Sequence, residues 1–206
     1  MIRTVRALPL LLLPALLAGC GTEKAGASDA PADPTELAAQ AGALGISPEL
    51  VYITKAPGFT LAQQSVGVSG DDGFSASYTS LKTGAVISLR VEHGTMTAAT
   101  CAKRPVAGVA GEHTTCVRDG DAWYRTGGGQ IEYTIAEKGH IVYVDAEQGK
   151  VTREVLRKAA LSVHRPSESE LDGLLPPART ATAPVERGDL PTAGDGAPNN
   201  EVGTGG

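Results

Sequence analysis

Residues 122–147 read AWYRTGGGQIEYTIAEKGHIVYVDAE, and the fold class follows from their period. Ile131, Tyr133 and Ile135 alternate with Gln130, Glu132 and Thr134. A period of two sends the two sets to opposite faces of a strand. Gly127-Gly128-Gly129 precedes this run and Glu137-Lys138-Gly139 follows it, and glycine clusters of this kind reverse the chain. Ile141-Val142-Tyr143-Val144 makes the next strand; Val117–Arg125, with the single tryptophan Trp123, makes the one before. Three strands joined by short glycine turns form an antiparallel meander.

Upstream, the same period recurs. Phe74, Ala76 and Tyr78 alternate with Ser75, Ser77 and Thr79, and Ile87, Leu89 and Val91 with Ser88, Arg90 and Glu92. Lys82-Thr83-Gly84 turns the chain between them, giving a hairpin with one buried and one wet face. Leu61–Val68 reads as a weak strand, Val51–Thr54 as another, and Asp71-Asp72-Gly73 as a turn. Pro34–Leu44 spaces Leu37, Ala38, Ala41 and Leu44 as a short helix capped at Thr35, and Pro48 opens a further turn.

Downstream, Thr152 is an N-cap, and Val155, Leu156, Ala159, Ala160 and Val163 share one face at helical spacing. Arg153, Arg157, Lys158 and Ser162 fall on the opposite, solvated face. Ser167-Glu168-Ser169-Glu170 has the capping-box pattern before Leu171, Leu174 and Leu175. The expected fold is α+β: an antiparallel meander sheet of five to seven strands with a C-terminal helix packed on it, flanked by a disordered tether and tail.

The chain has 206 residues with only 4% aromatics, 26 Gly and 13 Pro, so its core must be aliphatic. Met1–Cys20 has a positive start at Arg3 and Arg6, an apolar run Ala7–Leu17, and small residues before Cys20. The run is too short to span a bilayer, which takes about 20 residues, and has the layout of an export signal. Removing residues 1–19 takes away Arg3 and Arg6 and no acid, so 18 Lys and Arg fall to 16 against 23 Asp and Glu, a net charge of −7. Such an acidic product excludes nucleic acid as a partner, because it carries no excess of cations to displace phosphate counterions. Gly21–Asp33 is Ala, Gly, Ser, Pro and charge, the composition of a flexible tether. Pro176–Gly206 lacks the apolar residues to fold. The expected organisation is a signal over 1–19, a tether over 20–34, one extracytoplasmic domain over 35–175 and a disordered tail over 176–206.

Of the 3 cysteines, Cys20 belongs to the signal, and Cys101 and Cys116 remain. Outside the cytoplasm such a pair reads as one disulfide. A metal pair or a reactive thiol is the alternative. A zinc site wants four ligands at characteristic spacing, and His113 is the only further candidate nearby. His93, His113, His140 and His164 form no close ligand pattern, and no serine sits in a nucleophile elbow. Asp71-Asp72 reads as a solvated turn and Gly127-Gly128-Gly129 as a hairpin turn, not as a calcium or phosphate loop. The expected catalytic residues, metal ligands and cofactors are none.

Leu17-Ala18-Gly19-Cys20 resembles the lipobox of bacterial lipoproteins. The resemblance implies cleavage before Cys20, diacylglyceryl attachment to its thiol, and a protein anchored at the extracytoplasmic side of the cell membrane. A signal cut later, at Ala25-Gly26-Ala27, or a short uncleaved anchor is the alternative. The series Trp123, Ile131–Ile135, Ile141-Val142 and Thr152–Ala160 also resembles small sheet-plus-helix domains of actinobacterial lipoproteins. From these features the first expectation is a membrane-anchored, non-enzymatic binding or interaction module. The second is a carrier holding a hydrophobic ligand, such as a lipid, between sheet and helix, and the third is a hydrolase.

Overall fold

The structure, a computed structural model, describes residues 30–109, 113–137 and 139–178. The expected signal, Cys20, most of the tether and nearly all of the tail lie outside the described residues.

Eight antiparallel strands form one sheet: β1 (Thr60–Leu61), β2 (Gly67–Ser69), β3 (Gly73–Thr79), β4 (Val86–His93), β5 (Thr115–Asp119), β6 (Ala122–Gly127), β7 (Gln130–Ala136) and β8 (His140–Glu147). Their order is β1-β3-β4-β8-β7-β6-β5, with β2 also on the outer edge of β3. The sheet therefore joins two sequence-local units, the β3–β4 hairpin and the β5–β8 meander, through one long-range pairing of β4 with β8. Gly128 and Gly129 have φ of 58° and 72° between the paired residues Gly127 and Gln130. Two consecutive positive φ values are what a tight hairpin turn needs, so the triple glycine is a turn, as expected.

One face of the sheet carries the main core. Phe74, Leu89, Val91, Val144 and Tyr133 are buried there beneath the helices α1 (Pro34–Ala43), α3 (Arg153–Leu161) and α4 (Glu168–Leu174). Leu156, Ala159 and Ala160 of α3 are at most 1% exposed, so the seam between that helix and the sheet is filled. The Thr152 hydroxyl accepts the Val155 amide at 3.3 Å as its N-cap, and Lys158 reaches Glu154 one turn away at 2.8 Å. The capping box at Ser167 and Glu170 forms as well.

Some expectations are corrected. Asp33, not Thr35, caps α1, accepting the amides of Thr35 and Glu36 at 2.8 and 3.1 Å. Residues 30–34, assigned above to the tether, belong to the domain: Pro31 bridges Ser167, and Ala32 packs into the core. Val51–Thr54 is not a strand, because only Ile53 finds a bridging partner, His164. Leu61–Val68 is broken by a 3-10 turn at Gln63–Ser65. There the Ser65 hydroxyl accepts the Ser77 amide at 2.7 Å, replacing a ladder bond.

Arg153 and Arg157 of α3 are more than a solvated face. With the Tyr133 hydroxyl, at 2.6 Å, they donate to Asp119 at 2.9 and 3.2 Å and tie the helix to the β5–β6 turn.

Candidate functional site

The opposite face of the sheet has no helix layer. A strap formed by residues 94–109 crosses part of it and includes the short helix α2 (Ala98–Cys101). Cys101 is joined to Cys116 on β5 by a disulfide with Cα atoms 6.1 Å apart. Met96 and Cys101 from the strap pack on Ile141 and Tyr143 of β8, with Trp123 beside them. Strand β8 is thus apolar towards both faces, which accounts for the unbroken run Ile141–Val144.

Register lines up a polar row on this face. Ser77, Ser88, Asp145, Glu132, Arg125 and Cys116 are consecutive partners across β3, β4, β8, β7, β6 and β5. Arg125 and Glu132 are both 0% exposed and form an ion pair. Glu132 also accepts the Thr134 hydroxyl at 2.8 Å and, from the strap, the Ala107 amide at 3.1 Å. Arg125 donates to the strap carbonyls of Arg104 and Pro105. Each buried charge is therefore hydrogen-bonded as well as paired, which helps a dry interior tolerate it, although the Arg125 Nε is left without a hydrogen-bond partner. The strap takes its path from these bonds, and Ala107 adopts a φ of 49°.

Arg90, one row further along, lies with its guanidinium carbon 4.9 Å from the Tyr143 ring centroid. It is shared among three carboxylates, at 3.4 Å from Glu92 and 3.5 Å from both Glu132 and Asp145. Burial pushes the Asp145 carboxyl up to about 6; the Glu132 charge raises it too, against the Arg90 guanidinium. Beside Asp145 lies a half-enclosed cavity of about 250 Å³, lined by Thr83, Ser88, Gln130, Asp145, Glu147 and Lys150 among others.

The sequence-predicted chemistry falls as follows. Cys101 and Cys116 are bridged, and Cys20 lies outside the described residues. His93 and His140, far apart in sequence, are register partners on β4 and β8. They line an open recess of about 470 Å³ with Glu49, Tyr52 and Arg165. His93 is 3.4 Å from Asp72, and the His140 ring is 5.3 Å from that of Tyr52. His164 is elsewhere, 3.1 Å from Glu170. Asp72 accepts the Ser47 hydroxyl at 2.6 Å in its turn. Among the described residues no group of three or more His, Cys, Asp or Glu could hold a metal ion, and no helix is long and apolar enough to cross a membrane.

The polar row was missed in the sequence because strictly alternating charges look like a wet face. The signal that marks it is the pairing of Arg125 with Glu132 around a two-glycine turn, which sets opposite charges side by side on one face.

No family model, no curated protein and no solved structure matches this chain.

Proposed function

We propose that the chain is an exported lipoprotein, cut before Cys20 and anchored through it at the extracytoplasmic side of the cell membrane. There it presents a non-enzymatic binding module whose ligand-facing surface is the face of the sheet opposite helices α1, α3 and α4. The observation that carries the reading is the Cys101–Cys116 disulfide. It fits an oxidising compartment, and it leaves Cys20 as the only other cysteine of the sequence, at the end of Leu17-Ala18-Gly19-Cys20. One acyl chain holds a protein only marginally, whereas two or more on one residue hold it firmly. Nine residues separate Cys20 from Ala30, the first described residue. Fully extended, they reach at most about 30 Å, so the domain would stand close to the membrane. The filled seam under α3 favours the open face over the helix–sheet groove as the place for a ligand.

Fractionation of cells expressing the wild type and Cys20→Ala tests the anchor. The wild type is expected in the detergent-soluble membrane fraction, and the variant as precursor or secreted protein. Normal cleavage with unchanged membrane retention in the variant would refute it.

A further inference from the structure

Asp145 is a buried carboxylate whose nearby cation is shared: Arg90 donates to it at a long 3.5 Å, and the Ser88 hydroxyl also hydrogen-bonds it. Arg125 is committed to Glu132 and to the strap carbonyls. Arg90 is divided among Glu92, Glu132 and Asp145, and comes no closer than 3.4 Å to any of them. Taking a carboxylate out of water is costly unless it is closely paired, and Asp145 is only 6% exposed. What it does have is space: it forms part of the wall of the 250 Å³ cavity. The groups around it come from every neighbouring element, Ser88 and Arg90 from β4, Gln130 and Glu132 from β7, and Glu147 from β8 itself. Thr83, from the β3–β4 turn, and Lys150 also line the cavity.

We infer that this cavity binds a small polar ligand through a primary ammonium group seated against Asp145. The inference rests on the reading of the domain as a binding module and names the ligand chemistry of its open face. An ammonium has three donors and no acceptor. Asp145, the Ser88 hydroxyl and the Gln130 side-chain carbonyl are acceptors of matching kind. An anion would meet the Asp145 and Glu147 carboxylates. Lys150, also in the lining, disfavours a second cationic end, so a monoammonium ligand fits better than a polyamine.

The test is a titration of the isotope-labelled full chain, in detergent micelles near neutral pH, with n-butylammonium, butyrate and butanol, read by amide chemical shifts. Butylammonium is expected to give saturable shifts centred on residues 83–88, 130 and 145–150, with at least tenfold tighter binding than either analogue. Asp145→Asn should weaken it tenfold or more, and so should lowering the pH through about 6, where Asp145 takes a proton. Equal affinity for the three probes, no saturable shift, or undiminished binding by Asp145→Asn would overturn the inference. Should that variant fail to fold, wild-type binding that stays equally tight below pH about 6 overturns it instead. The anchor and the pocket fail separately: ammonium selectivity does not depend on membrane retention, nor retention on Asp145.

Discussion

Glu132 and Arg125 show how much a single residue's setting decides. Both lie on the polar side of alternating strands, where sequence places solvated charges, yet neither touches water. Their burial comes from the strap, whose path depends on the Ala107 amide and the carbonyls of Arg104 and Pro105. No local sequence signal encodes that covering. Removing one partner should therefore cost far more than a surface ion pair would. Glu132→Ala is expected to destabilise the protein by about 3–5 kcal/mol in urea unfolding, as for other broken buried pairs. An exposed pair would lose about 0–1 kcal/mol, and a loss that small would place the ion pair in water. Replacing both residues with apolar ones of similar volume should recover much of the loss.

Asp145 gives a pH dependence of definite sign. Its carboxyl is held at about 6 when folded, against an ordinary value of 3.8. The folded state therefore binds this proton more tightly than the unfolded state. Stability from this group is full below pH about 4 and falls, by on the order of 2–3 kcal/mol, as the pH rises towards 6. Asp119 and Glu170 act the other way. The Tyr133 hydroxyl and Arg153 hold Asp119 down at about 2. Burial raises Glu170, but Lys55, the Ser167 amide and His164 outweigh it and bring it to about 2 as well. Their contributions are present above pH about 4.5 and disappear as the pH falls towards 2. Urea midpoints between pH 4 and 6 should fall for the wild type and stay flatter for Asp145→Asn. Identical slopes in the two proteins would contradict the assignment.

At the scale of elements, the sequence was most legible where period and cap agree. Helix α3 runs from its Thr152 cap with the expected face inward. Leu156→Ala should cost about 2–5 kcal/mol, the range for a buried leucine. Thr152→Ala should cost about 1 kcal/mol. The strands of the meander follow their alternation for the same reason. Elements that depend on partners distant in sequence were less legible. Val51–Thr54 has strand-forming residues, but only Ile53 meets a neighbour. The β4–β8 pairing, which brings His93 to His140, has no local signature either. The disulfide belongs to this scale too. Cys101 and Cys116 are 15 residues apart, and a loop of that length is worth about 3 kcal/mol in the chain-entropy model. Reduction should lower the unfolding free energy by about that amount and loosen the strap first, seen as faster hydrogen exchange at Ala107 than in α3.

For the whole molecule, the architecture separates two tasks. The helix layer and its filled core supply stability on one face of the sheet. The other face carries a disulfide-pinned strap, a buried charge row and a cavity beside an undercompensated carboxylate. Composition and period were enough for the α+β class, because an aliphatic period-two pattern followed by a capped amphipathic helix has few packed solutions. The open-face cavity was not legible, since its wall is drawn from three strands and two turns. Cys20 lies outside the described residues, and the proposed location of the domain depends on it.

Mass spectrometry of the N-terminal peptide, from full chain recovered from membranes, tests that dependence most directly. The expected result is a chain beginning at Cys20 with its thiol carrying a diacylglyceryl group. An unmodified Cys20, or a mature chain beginning after Ala27, would contradict it.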